Sequence, residues 1–215
     1  MTQTKIIRIN DKDSMEHAII EASVILAEGG IIAYPTDTLY GLGVDAIDPD
    51  AMQNLQDLKV RTGDKPISIM LSGIEMLYNI FTDLSKGEKN LIDEFLPGEL
   101  TIVLKRPANS KFISGDTVGI RIPRNEFCNE LVRHYGKPIT TTSVNLSGGI
   151  PAKNADEVMN YFSGKIHLLI DGGKSSNSGG STVVQTNGDG IKILRQGKIR
   201  ADDIFDKFYG KLKNV

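Results

Sequence analysis

The chain has 215 residues, 40% of them hydrophobic and 24% charged, with a formal net charge of -2 at pH 7 and a pI of about 5.9. That length predicts one domain over residues 1–215, with a core large enough to need no disulfide or metal staple, and the near-neutral balance excludes a global attraction to nucleic acid. A single cysteine, Cys128, excludes an intramolecular disulfide framework and multi-cysteine zinc sites; with no apolar run near the ~20 residues of a membrane span and no signal pattern in residues 1–10, the expected setting is cytoplasmic.

Along the chain, residues 5–9 predict a short strand. Asp13 or Ser14 then caps a helix whose apolar positions Met15, Ala18, Ile19, Ala22, Ile25 and Leu26 fall on one stripe, and Gly29-Gly30 ends it. A buried strand over 31–34 stops at Pro35. Further helices are predicted over 49–59, 85–95, 126–135, 154–162 and 202–212. The fourth of these opens on Asn154 with Glu157 three residues on, as in a capping box. Strands are predicted over 67–71, 101–105, 118–122, 138–142, 166–170, 182–185 and 191–194. The alternation favours a layered α/β or α+β fold. Residues 171–180 and 187–190, rich in Gly, Ser and Asn, read as loops too short to link domains.

Six segments gather polar chemistry. Residues 35–43, PTDTLYGLG, put hydroxyls, a carboxylate and two glycines directly after a buried strand. Ligands of open α/β sheets bind at such strand ends, and Gly41 and Gly43 would let backbone N–H groups approach an anion; a plain turn is the competing reading. Lys59, Arg61 and Lys65 suit a polyphosphate, Arg as a planar fork and Lys as a mobile point charge, or else form a solvated cluster after a helix. Arg121 stands among Val118, Ile120 and Ile122; a guanidinium in an apolar strand needs either a buried carboxylate or a ligand. Residues 140–149, TTTSVNLSGG, run hydroxyls and an amide out of a strand into a glycine turn, donors suited to a phosphate or a carboxylate. Residues 179–184, GGSTVV, and 194–197, LRQG, are weaker signals.

Absences narrow the chemistry. His17, His134 and His167 lie outside these segments, and no Walker loop, HExxH, GxSxG or CxxC occurs. Cys128 sits in a predicted helix with no cation near it in sequence and reads as a packing residue. The pattern points to charge stabilisation by positioned donors rather than covalent catalysis.

Taken in order, these segments resemble the YrdC-type threonylcarbamoyl-AMP synthases in their short, single-domain form. Gly29-Gly30 with PTDTLYGLG, K-x-R at Lys59 and Arg61, PGELT at 97–101, VGIRIP at 118–123, TSVNLSG at 142–148, GGST at 179–182 and LRQG at 194–197 carry the likeness, which runs from about residue 13 to residue 197. It implies a twisted mixed sheet flanked by helices, with an open, concave, positively lined site. It also implies the conversion of L-threonine, bicarbonate and ATP to L-threonylcarbamoyl-AMP and pyrophosphate, with Mg²⁺ bridging phosphate oxygens. By that likeness Lys59, Arg61, Lys65, Thr117, Ser143, Asn145, Ser147 and Arg195 would face ATP, with Lys59 and Arg61 catalytic. Thr36, Thr38, Arg121, Thr141 and Ser181 would surround threonine, and no protein residue would hold a metal. The product would pass to proteins that modify an adenosine beside the anticodon of certain tRNAs.

Two departures stand out. Longer relatives carry a histidine where this chain has Met70, and a further C-terminal domain beyond the position where this sequence ends at Val215. Two alternatives remain. One is a double-stranded RNA or tRNA-binding module of the same fold without synthase activity; the other is a carbamoyl-adenylate domain of hydrogenase maturation, which a single cysteine and 215 residues argue against.

Overall fold

Asp11, rather than Asp13 or Ser14, caps the first helix. In a computed structural model of the chain, which describes residues 3–59, 67–111, 115–146, 148–175 and 179–210, β1 (Lys5–Arg8) leads into α1 (Lys12–Ala27). The Asp11 carboxylate accepts the Ser14 N–H at 2.8 Å and Ser14 Oγ accepts the Asp11 N–H at 3.0 Å, a reciprocal box that starts the helix earlier than the apolar stripe alone suggests. β2 (Ile32–Pro35) and β3 (Tyr40–Gly43) follow; the second is a strand where the sequence reads as a glycine-rich loop. α2 (Pro49–Leu58), capped by Asp48, precedes β4 (Ser68–Met70) and α3 (Ile74–Ile80), a short helix that sequence periodicity misses.

Ser85 and Glu88 box the start of α4 (Lys86–Phe95). β5 (Leu100–Lys105), β6 (Thr117–Arg121) and α5 (Glu126–Tyr135) come next, the helix closed by Gly136 at φ 76°, where glycine meets no Cβ penalty. The predicted strand over 138–142 is two pieces, β7 (Ile139–Thr140) and β8 (Thr142–Ser143). α6 (Ala155–Phe162) starts at Asn154 as expected, the amide oxygen accepting the Glu157 N–H at 2.9 Å. β9 (Leu168–Asp171), β10 (Thr182–Thr186), β11 (Ile191–Arg195) and α7 (Ala201–Phe208) complete the order. α7 ends at Phe208, ahead of the left-handed Gly210 and short of the predicted residue 212. No helix among the described residues is long and apolar enough to cross a membrane.

The strands form two mixed sheets rather than one. Five strands run β1-β9-β2-β3-β8 and six run β11-β10-β5-β6-β4-β7. Alternation explains how the first sheet is covered on both faces: Ile32, Tyr34, Leu168 and Ile170 pack toward α1 and α5, while Ala33, Leu42 and Leu169 pack toward α2 and α6. The second sheet is covered by helices on one face, while on the other only its β4-β7 end is covered, Met70 and Ile139 joining the first sheet's core. Leu100, Ile102, Leu104, Val118, Ile120 and Val184 bury themselves with residues of α3, α4 and α7. Thr101, Val103, Gly119 and Arg121 alternate with them and point the other way.

The chain crosses between the sheets at Thr141. Its N–H donates to Ser68 O at 2.7 Å in the six-stranded sheet, and the next two residues pair with Leu42 and Gly41 in the five-stranded sheet. The less covered face of one sheet is thereby held against the edge of the other.

Candidate functional site

An open cavity of about 440 Å³ occupies this junction. The six-stranded sheet supplies its floor through Ser68, Thr101, Val103, Arg121 and Val183; the crossing supplies Thr141, Thr142 and Ser143; the turn between β2 and β3 supplies Thr36, Thr38 and Leu39. Gly180, Ser181, Leu194 and Arg195 close the remaining side. Seven of the residues that the resemblance implies are therefore brought to one hollow: Thr36, Thr38, Arg121, Thr141, Ser143, Ser181 and Arg195.

Arg121 is fixed from β2's turn. Its Nη2 donates to Asp37 Oδ1 and to Thr38 Oγ1, each at 2.6 Å, and Asp37 Oδ2 also accepts the Arg124 backbone N–H at 3.0 Å. Thr36 braces the same turn, its Oγ1 donating to Leu39 O at 2.6 Å and accepting the Thr38 N–H at 3.1 Å. Of the two partners that sequence reasoning offers for Arg121, a carboxylate or a ligand, the carboxylate is present. Arg121 Nε has no partner among the described residues, and the side chain still borders the cavity.

Arg195 is held from the opposite wall. Its Nη2 donates to Ser181 O at 2.9 Å and to Ser181 Oγ at 3.1 Å, and Ser181 Oγ lies 2.8 Å from Thr101 Oγ1. Burial, and then the positive charge of Arg121, lower the Arg195 pKa. Both guanidiniums border the hollow, Arg121 paired with Asp37 and Arg195 hydrogen-bonded to Ser181.

Lys59 lies behind the cavity rather than in its lining. Only 4% exposed, its Nζ donates to Thr142 Oγ1 at 3.1 Å, to Ser143 O at 2.5 Å and to Asn145 Oδ1 at 3.4 Å. Asn145 Oδ1 accepts from Ser143 Oγ at 2.6 Å and its Nδ2 donates to Gly149 O at 2.8 Å. Lys59 and Asn145 therefore shape the strand end that carries Thr142 and Ser143. Thr117 lies outside the lining, two residues along β6 from Gly119 and paired with Lys105. Arg61, Lys65 and Ser147 lie outside the described residues.

Of the two glycines of the first segment, Gly41 borders the cavity and Gly43 does not. Both lie in β3, which ladders to β2 along its length and to β8 at Gly41 and Leu42. Glycine is needed there because the Tyr34 ring lies across it: a Cβ on Gly43 would stand 2.8 Å from a Tyr34 ring carbon. Tyr34 OH donates to Thr140 O at 2.8 Å, and burial drives its pKa far up. Met70, fully buried, packs in the cluster of Tyr34, Phe127 and Cys128 and does not line the cavity. Cys128 is buried in that cluster, where burial raises its thiol pKa, in keeping with a packing residue.

Sequence reasoning took Asp37 only as the carboxylate of the first segment and Thr101 only as part of PGELT, and it gave Ser68 no role. For Thr101 a signal existed, since it alternates with Leu100 and Ile102 and so faces away from the core. Asp37 and Arg121 are separated by 84 positions, and no local pattern links them.

The profile of the Sua5/YciO/YrdC family, described as telomere recombination, matches residues 24–197. A threonylcarbamoyl-AMP synthase of Pyrococcus abyssi is 33% identical over 209 residues, covering 95% of this chain and 61% of its own length. A Methanocaldococcus jannaschii protein is 34% identical over 198 residues, 91% of this chain and 92% of its own. Among solved structures, that of P. abyssi Sua5 complexed with L-threonine superposes with a TM-score of 0.86 at 30% identity, over 98% of this chain and 62% of that one. The chain thus spans about three fifths of the Pyrococcus relative (61%).

Proposed function

Because the chain belongs to the Sua5/YciO/YrdC family, we propose that it is an L-threonylcarbamoyladenylate synthase, a nucleotidyltransferase acting on ATP, L-threonine and bicarbonate. The observation that carries the reading is the pair Arg121 and Arg195 facing one cavity with the hydroxyls of Thr36, Thr38, Thr141, Ser143 and Ser181. Such a site suits two anions that must meet.

The threonine amine and bicarbonate condense to a carbamate with loss of water. A carbamate oxygen attacks the α-phosphorus of ATP, the bond from that phosphorus to the β-phosphate bridging oxygen breaks, and pyrophosphate leaves. The nucleophile is already anionic, so positioning and charge stabilisation dominate over proton abstraction. Arg121, braced by Asp37, receives the carboxylate of the amino acid; Ser143, backed by Lys59, and Arg195 address the phosphate chain. Arg61, Lys65 and Ser147 belong to this reading through the family pattern alone, and Thr117 stays in it as a residue at the margin.

Mg²⁺ is part of the proposal as a companion of ATP, neutralising phosphate charge. Among the described residues no group of three or more His, Cys, Asp or Glu could hold a metal ion, and the cavity's neighbouring carboxylate, Asp37, is engaged by Arg121; the ion fits here as one carried by substrate phosphates. The product would be consumed by proteins that transfer the threonylcarbamoyl group to tRNA.

The test is purified protein with ATP, Mg²⁺, labelled bicarbonate and threonine, scoring pyrophosphate and the labile adenylate together. Threonine-dependent release of pyrophosphate with label in a nucleotide adduct is the expected result. Pyrophosphate that forms equally without threonine overturns the reading.

A further inference from the structure

We propose that Ser68 is the residue by which this site selects an amino acid bearing a side-chain hydroxyl; the inference rests on the synthase reading and extends it to one atom. Ser68 lies in β4, in register with Gly119 of the neighbouring parallel strand β6. Its carbonyl accepts the Thr141 N–H at 2.7 Å, which pins the strand under the crossing. Its Oγ stands over Gly119, where a Cβ would overlap it, so the absent side chain at 119 gives the hydroxyl its place on the cavity floor. Ser68 borders the cavity, and its Oγ makes no hydrogen bond to any described residue.

The orientation follows from the tetrahedral α-carbon of the amino acid. Arg121, the cation at this end, takes the carboxylate. The amino group, once carbamoylated, must point toward the nucleotide side, marked by Ser143 and Arg195. The side chain is left to face the floor, where Ser68 Oγ can both donate to and accept from a hydroxyl. Met70 cannot share this task, because it is fully buried in the cluster against α1 and α5.

A site that hydrogen-bonds a substrate hydroxyl discriminates against an analogue lacking it, since the polar partner is left unpaired. Full-length protein is compared with Ser68→Ala using threonine, serine and valine, measuring kcat/KM for each and KM for ATP. The expected result is a threonine-to-valine preference reduced about tenfold in Ser68→Ala, the loss of roughly one hydrogen bond, with the KM for ATP unchanged. An unaltered preference overturns the inference and leaves the synthase reading standing. Equal losses for threonine and valine also overturn it, because they would assign the hydroxyl to the common backbone of the substrates. Wild-type protein that forms no adenylate from threonine sinks both readings together. The ATP KM doubles as a folding control, since a collapsed site loses it along with the amino acid.

Discussion

Arg121 and Asp37 form an ion pair at 2.6 Å whose side chains are 9% and 8% exposed. Desolvating both groups is expensive, and their attraction compensates only while both are present. Asp37→Ala is therefore expected to destabilise the fold by about 3–5 kcal/mol, because Arg121 remains buried without a counter-charge. Asp37→Asn keeps the oxygen acceptor and should cost less. Denaturant melts measure both, and a loss confined to the surface range of ~0.5 kcal/mol in Asp37→Ala would mean that Arg121 finds compensation elsewhere.

Lys59→Ala is expected to lower kcat by up to about 10², the scale on which misplacing a positioned group acts, because the strand end that presents Thr142 and Ser143 loses the ammonium that holds it. Because Lys59 is buried under Thr142, Ser143 and Asn145, the substitution also leaves acceptors unpaired. The variant should then melt earlier as well, unlike a change at an exposed site. His134→Ala, on the exposed last turn of α5, serves as the comparison and should leave both quantities nearly unchanged.

Tyr40 offers a pH readout. Its hydroxyl donates to Gly173 O at 2.7 Å and accepts the Gly172 N–H at 3.1 Å, and burial pushes its pKa up to about 12. A raised folded-state pKa favours the neutral phenol, so its contribution is complete below the unfolded value near 10 and is lost as pH rises toward 12. Stability against urea should fall over that window. Tyr40→Phe should begin lower and fall less steeply across it, with the slope that remains due in part to Tyr34 and Tyr135, whose pKa values burial also raises.

Cys128 reports opening of the same region. Its thiol is buried, donates to Pro35 O at 3.3 Å and is held well above the ordinary thiol range by burial. The thiolate is the reactive species, so alkylation by iodoacetamide at neutral pH should be slow in the folded protein and should track unfolding in denaturant. Rapid labelling without denaturant would show that α5 opens from β2 in the native state.

The parts legible in sequence are those set by local periodicity. Leu100, Ile102, Leu104 and Val118, Ile120, Ile122 announce two half-buried strands, and Asn154 with Glu157 announces a helix start. The division into two sheets was not legible, because β7 and β8 have two residues each and their pairing is decided by strands far away in sequence. The same limit hid β3: its glycines read as a turn because the Tyr34 ring that requires them approaches across the sheet. Lys59 was recognisable as a special cation, yet its burial behind Ser143 depends on contacts 83 to 86 positions distant. Motif order gathered the cavity residues; tertiary contacts alone separate those that line it from those that brace it.

Gly197 tests whether the wall carrying Arg195 is held by backbone contact. A Cβ at this position would stand 2.5 Å from Thr182 N and 2.6 Å from both Gly180 O and Ser181 C, all main-chain atoms that cannot swing aside. Gly197 N–H also donates to Thr182 Oγ1 at 3.0 Å, so the chain after β11 is pressed onto the segment that presents Ser181. Gly197→Ala must push these strands apart, at a cost of about 1–3 kcal/mol or more, and should misplace Ser181 relative to Arg195. Gly73→Ala supplies the control, since nothing lies within 4 Å of a Cβ there and its φ of 173° is ordinary extended backbone. The expected outcome is a lowered melting temperature and weakened turnover for Gly197→Ala and near-normal values for Gly73→Ala. Equal melting temperatures for the two variants would mean that the wall yields, and the contact argued to fix Arg195 would lose its force.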